Sequence, residues 1–429
     1  MKKRILALAL VLVFILSACG KNNETNLTSS EKVEVVETIT SSETKTETTS
    51  SKEKKQAKKA KAKEVRAVWF SYIDLYYAGK TYEEFKTDID KKFDNVKSIG
   101  CNRVICHIRA NSDAAYNSKI FPFSEKYSGV EGKSAGYDPL EYMVKAAHKR
   151  GLTIEGWINP YRVATKTTNI NDLSDKNPAK IWLTDNKKSN DNNVLFTKDG
   201  IFYNPASREV RRLIVDGVKE VLENYNVDGI QFDDYFYPTT DKNFDKVSYQ
   251  QYKKSTPTAL PLDEWRRTNI NILIAEVYKT VHKFEGKTFG ISPAAAISGD
   301  KSDRNYTHLY ADIYTWMEDE GYIDYIAPQL YFGYEYPLEG YQFDKILSSW
   351  VKAKKHKNLK LYIGLANYKI GTEDAGSKEW IIRKDIISKQ IKDIRSTKAD
   401  GFMLYSYSAV FSDEPRNKQE TNAIKNLLR

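Results

Sequence analysis

The chain has 429 residues, with 67 Lys and Arg against 57 Asp and Glu, and only five His. Its formal charge of +10 is unevenly distributed, because residues 1–20 contribute +3 and residues 21–63 another +3, which leaves +4 for residues 64–429. A folded part this mildly basic argues against a nucleic-acid partner. So few His argue against a multi-histidine metal site, and we expect no metal and no cofactor.

The first residues predict a secretory leader. Residues 2–4 are basic, residues 5–16 form an apolar run, and Leu16-Ser17-Ala18-Cys19 follows. The apolar run is too short to cross a bilayer, which is typical of a signal peptide. The last four residues resemble a lipobox, the cleavage signal of bacterial lipoproteins. We therefore expect a signal peptide at residues 1–18, cleavage before Cys19, acylation of its thiol, and extracytoplasmic anchoring to the cell membrane.

The segment after the leader predicts a tether. Residues 20–63 are rich in Ser, Thr, Glu and Lys and contain no aromatic residue. Such a segment cannot bury enough apolar surface to offset the entropy lost on ordering. We predict a lipidated Cys19 and a disordered linker over residues 19–63, followed by one folded domain over residues 64–429.

From residue 65 onward, strand patterns alternate with helix patterns. Strands are predicted at 65–72, 102–109, 153–159, 228–233, 288–292, 325–330, 361–365 and 401–406. Helices are predicted at 82–99, 139–150, 207–225, 263–284, 307–321, 343–355, 380–396 and 420–428. Eight such pairs favour a single (β/α)8 TIM barrel over a doubly wound sheet, and no Gly-rich phosphate-binding loop follows the first strand.

The fourth predicted strand ends in two adjacent carboxylates, Asp233 and Asp234, which Tyr235, Phe236 and Tyr237 follow. Barrel enzymes build their active sites at the carboxyl ends of the strands. Paired carboxylates are the usual apparatus for breaking glycosidic bonds, and aromatic faces suit stacking against sugars. The alternative is an Asp-capped surface turn, but acids followed by three aromatic residues are unusual in a solvated turn. We predict that Asp233 and Asp234 are the catalytic residues.

Other strand ends supply amides, aromatic residues and arginines, which suit a polyhydroxylated ligand. The predicted substrate-binding residues are His107, Arg109, Trp157, Asn159, Tyr161, Arg162, Tyr235, Tyr237, Gln329, Tyr331 and Tyr405. For His107 and Trp157, packing in the core is an equal alternative. Glu155 lies in the middle of a strand, and we expect it to pair with a basic residue inside the barrel.

No acid stands at the end of the seventh predicted strand, which excludes the common arrangement with one catalytic acid on the fourth strand and one on the seventh. The acids are Asp233 and Asp234, or one of them with a loop residue such as Glu335 or Asp113. Consecutive residues point to opposite sides of a strand, so both Asp side chains reach one cleft only if the strand bends. Adjacent acids suit substrate-assisted hydrolysis of 2-acetamido sugars, with Asp233 orienting the acetamido group and Asp234 as general acid, or the reverse.

Seven ordered stretches resemble one known family, at residues 111–124, 137–152, 157–162, 228–238, 290–293, 323–331 and 362–365. Together they are similar to the glycosyl-hydrolase-like family 10 of bacterial cell-envelope lipoproteins, over about residues 65–407. The resemblance implies a TIM-barrel glycosidase associated with peptidoglycan glycan strands, notably strands stripped of their stem peptides. Phe332-Gly333 and residues 202–205 depart from the family pattern, whereas the Asp pair follows it.

Two other functions fit the same residues. A glycosidase of another extracellular polysaccharide would place its acids on two different strands and would require Glu335. A glycan-binding lipoprotein without catalysis would still bind after both Asp carboxylates are lost. In each case the expected partners are a polysaccharide and, through the lipid anchor, the membrane.

Overall fold

A computed structural model of the protein describes residues 64–165 and 167–429. The predicted signal peptide, the lipidated Cys19 and the linker lie outside the described residues. The described part contains a closed barrel of eight parallel strands surrounded by helices, which confirms the predicted TIM-barrel fold. Every helix in this part of the chain is too short or too polar to cross a bilayer.

The strands belong to the barrel and to one small additional sheet. In chain order they are β1 (Val65–Phe70), β2 (Arg103–Arg109), β3 (Thr153–Ile158), β4 (Arg162–Ala164), β5 (Val194–Thr197), β6 (Gly200–Tyr203), β7 (Gly229–Phe232), β8 (Thr288–Ile291), β9 (Tyr325–Ile326), β10 (Lys360–Ala366) and β11 (Gly401–Tyr405). The barrel order is β1-β2-β3-β7-β8-β9-β10-β11, and β11 closes on β1 by parallel pairing. All eight carboxyl ends therefore lie at one end of the barrel.

Helices occupy the connections and cover the barrel. In chain order they are α1 (Tyr82–Ser98), α2 (Glu125–Ser128), α3 (Pro139–Lys149), α4 (Pro178–Thr184), α5 (Arg208–Asn224), α6 (Lys246–Ser255), α7 (Leu262–Val281), α8 (Arg304–Thr307), α9 (Ile313–Glu318), α10 (Phe343–Ala353), α11 (Glu379–Ile382), α12 (Ile386–Arg395), α13 (Tyr407–Val410) and α14 (Pro415–Leu428). Thr81 and Glu84 form a capping box that starts α1. The apolar face of α1 is buried on the barrel, at Phe85, Ile89, Phe93 and Val96.

Three predicted elements differ in extent. The predicted helix at 307–321 is two short helices, α8 and α9, because Tyr310 between them adopts a left-handed conformation with φ of 53°. The predicted helix at 380–396 is interrupted at Arg383, which has an extended ψ of 132°. The predicted strand at 325–330 shortens to β9, because Pro328 has no N–H to donate to a neighbouring strand.

The connection between β3 and β7 holds an antiparallel sheet that the sequence did not predict. β6 pairs with both β4 and β5, and Val194 lies opposite Tyr203. Each of these strands has three or four residues, too few for an alternating pattern to stand out. The sheet matters for the site because Arg162, its first residue, contacts the ring of Tyr235 next to the Asp pair.

Side chains fill the barrel interior. The buried cluster consists of Val65, Ala67, Trp69, Ile105, Tyr325, Ala327, Tyr362 and Met403. Glu155 is fully buried beside it, where it pairs with Arg103 at 2.6 Å and accepts a hydrogen bond from Tyr325. This arrangement confirms the pairing expected for Glu155, whose buried charge requires a cationic partner.

Gly290 on β8 leaves room for the ring of Tyr325. A Cβ atom at this position would lie 2.1 to 2.4 Å from three ring atoms. We expect Gly290→Ala to lower the free energy of unfolding by about 3 kcal/mol, because a packed barrel interior relaxes little. Urea unfolding measures the loss. Gly299→Ala is the control, since nothing lies within 4 Å of that Cβ position, and equal losses in the two variants would contradict the argument.

Candidate active site

A cavity of about 270 Å³ opens at the carboxyl ends of the barrel strands. Its lining residues are Trp69, Trp157, Gln231, Asp233, Asp234, Tyr235, Ser292, Gln329, Tyr331, Tyr368 and Tyr405. Both predicted acids are in this set, together with five predicted binding residues, Trp157, Tyr235, Gln329, Tyr331 and Tyr405. The cavity is therefore the candidate active site.

The Asp pair stands at the point where a barrel strand ends. β7 stops at Phe232, and the next two residues, Asp233 and Asp234, no longer have strand geometry. The backbone N–H of Tyr235 donates to Asp233 Oδ1 at 3.1 Å and closes the turn. Because the chain bends here, both side chains line the same cavity, as the sequence argument required.

Asp233 is buried and surrounded by hydrogen-bond donors. Its Oδ2 accepts hydrogen bonds from Trp157 Nε1, at 3.2 Å, and from Asn159 Nδ2. Burial raises the pKa of Asp233 above its ordinary value, and the charge of Arg162 and the three hydrogen bonds offset only part of this effect. Three donors aimed at one carboxylate favour its ionised form.

Asp234 has a less polar environment. It is half-buried, and its side chain accepts one long hydrogen bond, from Gln329 Nε2 at 3.3 Å. Burial and the adjacent charge of Asp233 raise the pKa of Asp234 to about 7. The two neighbouring acids therefore differ, because three hydrogen bonds favour the charged form of Asp233, whereas Asp234 accepts one long hydrogen bond and has a pKa of about 7. This is the division expected between a charged, orienting acid and a general acid.

A second row of residues fixes Asp233 in place. The ring of His107 stacks on Trp157 with centroids 3.7 Å apart, and its Nε2 lies against Asn159 Oδ1. Since Asn159 uses its amide N–H on Asp233, its oxygen must accept from His107, which assigns the proton of His107 to Nε2. Burial lowers the pKa of His107 well below its usual value, so the ring is neutral. His107 and Asn159 thus act on Asp233 from behind the cavity lining.

Aromatic rings form the rest of the cavity wall. Tyr331 and Tyr405 stack with centroids 5.7 Å apart, and Tyr368 meets both rings edge-on. Tyr235 is 55% exposed at the mouth. Flat rings beside carboxylates and amides suit the apolar faces and hydroxyl groups of a sugar.

Four lining residues were not among the predicted site residues: Trp69, Gln231, Ser292 and Tyr368. Trp69 Nε1 donates to Gln231 Oε1 at 2.6 Å, and Gln231 Nε2 donates to Tyr325, which anchors the polar floor in the barrel interior. The alternation of side chains along a strand could have identified Gln231, because it lies two residues before Asp233 and therefore on the same face of β7.

Three predicted binding residues lie elsewhere, which corrects the prediction. Arg109, Tyr161 and Tyr237 are each about 1% exposed, and none of them lines the cavity. β2 has an irregular register between His107 and Arg109, so Arg109 points outward against the ring of Phe121.

The other two of these residues, Tyr161 and Tyr237, lie in the connections that follow β3 and β7. Tyr161 lies under the small sheet, where its carbonyl oxygen accepts from the N–H of Tyr203. Tyr237 turns back into the core, with Tyr310 at 5.0 Å between centroids and the guanidinium of Arg266 at 5.1 Å. Phe236 is buried in the same way, so only Tyr235 of the three aromatic residues after the Asp pair is offered to a ligand.

The alternative acids do not reach the cavity. Asp113 is buried next to a separate, very small cavity lined also by Tyr72 and Lys126. Glu335 is exposed and lies 3.8 Å from Arg383. Within residues 64–165 and 167–429, Asp233 and Asp234 are the carboxylates of the cavity, and no cluster of His, Cys, Asp and Glu is arranged to hold a metal ion.

Comparison with known proteins decides the family. The model of the family described as glycosyl hydrolase-like 10 matches residues 64–382. The chain belongs to this family. Its barrel and the family together support a glycosidase, in agreement with the paired acids and the aromatic wall.

Two curated relatives match more than three quarters of this chain. Glycosyl hydrolase YngK of Bacillus subtilis is 34% identical over 356 residues, which cover 78% of this chain and 67% of the relative. Glycosyl hydrolase DigH of Escherichia coli K12 is 32% identical over 357 residues, which cover 79% of this chain and 77% of the relative. Among solved structures, the PgaB glycoside hydrolase domain of Bordetella bronchiseptica aligns with a TM-score of 0.54 at 13% identity, covering 85% of this chain and 99% of that domain. This last similarity concerns the fold alone.

The raised pKa of Asp234 in this glycosyl hydrolase-like barrel predicts a pH-dependent loss of stability. Its folded-state pKa of about 7 exceeds the ordinary value of 3.8, so its favourable contribution is complete below about pH 4 and is lost as pH rises through 7. We expect Asp234→Asn, which stays neutral, to exceed the wild type in stability by about 1–3 kcal/mol at about pH 8, and to match it near about pH 4. Thermal unfolding at both pH values measures the difference, and a difference independent of pH would contradict it.

Proposed function

We propose that the protein is a membrane-anchored, extracytoplasmic glycosidase that hydrolyses glycan chains of 2-acetamido sugars, namely peptidoglycan strands stripped of their stem peptides. The observation that carries the proposal is the contrast within the Asp pair. Asp233 accepts three hydrogen bonds, whereas the pKa of Asp234 is raised to about 7 in an aromatic cavity. Such a pair offers one anion and one proton donor to a single substrate.

The reaction we infer is substrate-assisted hydrolysis. Asp233 accepts a hydrogen bond from the acetamido N–H and orients the acetamido oxygen toward the anomeric carbon. That oxygen attacks the carbon as the glycosidic bond breaks, and Asp234 gives its proton to the leaving oxygen. Water then adds to the anomeric carbon of the cyclic intermediate and opens it, while Asp234 takes back one proton from that water. Each cycle consumes one water molecule and restores both acids.

Two features support a nucleophile that belongs to the substrate. First, the cavity holds no third carboxylate among the described residues, and Asp233 is immobilised by Trp157 and Asn159. Second, Asp233 Oδ1 receives one protein hydrogen bond, from Tyr235, and keeps a lone pair for the acetamido N–H. An acid held in this way is better suited to orient a group than to form a covalent bond itself.

The cell-envelope location rests on the N-terminal sequence and on topology. Residues 16–19 have the lipobox pattern, and the chain enters the barrel at the amino end of β1. The cavity lies at the carboxyl ends of the strands. The first residue of β1 therefore lies at the end of the barrel opposite the cavity.

Product analysis tests the proposal. The full chain, purified in detergent, is incubated with intact peptidoglycan and with amidase-treated, peptide-free strands, and the products are identified by mass spectrometry. We expect peptide-free disaccharides from the wild type on the stripped strands, and none from an Asp233→Asn/Asp234→Asn double variant. If neither protein yields product while both bind the strands equally, the protein is a glycan-binding protein and the proposal fails.

A further inference from the structure

Arg162 is a cation at the cavity mouth that lowers the pKa of Asp233 by its charge but forms no salt bridge in the described part of the chain. It is half-buried, and its guanidinium lies 4.4 Å from the ring centre of Tyr235, which lines the cavity. Within the described residues its side chain has neither a hydrogen bond nor a salt bridge. A guanidinium has five N–H donors, so this one is available to a ligand.

The other arginines that lie over tyrosine rings show that this is unusual for the molecule. Four such arginines each have a protein partner: Arg103 pairs with Glu155, Arg266 with Asp245, Arg383 with Glu379, and Arg267 donates to the carbonyl of Tyr306. Arg162 is the exception among them, and it is the one that stands over a ring of the cavity.

The charge of Arg162 acts on the Asp pair. A nearby positive charge favours ionised carboxylates, and Arg162 indeed lowers the pKa of Asp233. Arg304, an exposed arginine at the start of α8, has the same effect on Asp234, and it has no salt bridge in the described residues. Two arginines without salt bridges in the described residues therefore give this side of the cavity a positive potential, which favours a substrate that carries an anion.

We propose that Arg162 binds a carboxylate of the substrate, and that this carboxylate is the lactyl group of N-acetylmuramic acid. The inference rests on the proposed function and adds the reason for its substrate preference. In intact peptidoglycan the lactyl group is joined to the stem peptide as a neutral amide. Removal of the peptide creates a free carboxylate, which a planar guanidinium recognises through two parallel hydrogen bonds. Arg162 therefore distinguishes peptide-free strands from strands that carry stem peptides.

The test compares two forms of one glycan. Peptide-free strands are used as such, or after their lactyl carboxylates have been converted to methylamides by carbodiimide coupling. Wild type, Arg162→Gln and Arg162→Lys are compared by kcat/KM on both substrates. Arg211→Gln is the control, because it removes one positive charge on α5, away from the cavity. Thermal unfolding confirms that each variant is folded.

We expect amidation to lower kcat/KM of the wild type and of Arg211→Gln by about 10- to 100-fold, the size of a lost charge-assisted contact. Arg162→Gln should lose a similar factor on the free carboxylate and nothing further on the amide, with Arg162→Lys between the two. If the wild type cleaves both substrates equally, or if Arg162→Gln still prefers the free carboxylate to the amide, Arg162 does not bind the carboxylate and the proposed function stands. If the wild type cleaves neither, both proposals fail.

Discussion

Replacing Asp234 with asparagine is expected to lower kcat on peptide-free glycan by about 10²–10⁴-fold, because the variant cannot give a proton to the leaving oxygen. The same proton predicts the pH profile of the wild type. Since burial and the charge of Asp233 raise the pKa of Asp234 to about 7, kcat should fall above about pH 7 with the slope of a single ionisation. Initial rates measured across the pH range test both expectations.

Asp199→Asn is the matched control for this variant. Asp199 is exposed in the turn between β5 and β6, outside the cavity lining, so its loss should leave kcat unchanged. Asp234→Asn with more than about a tenth of the wild-type rate would exclude Asp234 as the general acid, given the usual size of that contribution.

Replacing Asp233 with asparagine is expected to lower kcat by about 10²-fold or more, because an amide can no longer act as the negative partner of the acetamido N–H. It should also change the pH profile of the remaining activity. The charge of Asp233 is one of the two causes that raise the pKa of Asp234, so its removal lowers that pKa. The alkaline limb of the profile should therefore move to lower pH.

The direction of this shift separates the two possible assignments of the acids. With Asp234 as general acid, Asp233→Asn shows a displaced alkaline limb and Asp234→Asn shows no limb. If the roles are exchanged, the limb disappears in Asp233→Asn and survives in Asp234→Asn. A profile of Asp233→Asn that coincides with that of the wild type would mean that the two carboxylates do not interact.

The barrel could be predicted because its periodicity is regular. Apolar strands and amphipathic helices alternate eight times, and chain order alone places the carboxyl ends of parallel strands together. The position of Asp233 and Asp234 at the cavity could be predicted for a local reason, since two acids directly follow an apolar strand and β7 ends at the residue before them. These features depend on near neighbours in the chain, which a sequence displays directly.

The predicted binding residues that lie away from the cavity owe their positions to features that the local sequence does not show. Arg109 follows His107 by two residues and should share its face, but the irregular register of β2 turns it outward, and nothing in the local sequence marks that shift. The sequence predicts that Tyr237 binds substrate, whereas its contacts with Arg266 and Tyr310, which are distant in sequence, hold it in the core. The protonation contrast within the Asp pair likewise depends on donors from other strands.

The central claim is that this cavity hydrolyses a glycosidic bond through Asp234. The most direct measurement is mass spectrometry of products formed from peptide-free strands in isotopically labelled water, with rapid reduction of the new sugar ends. Hydrolysis predicts one labelled oxygen at each new reducing end with the wild type, and no such product with Asp234→Asn. Anhydro sugar ends without label, or no product from the wild type, would contradict the account.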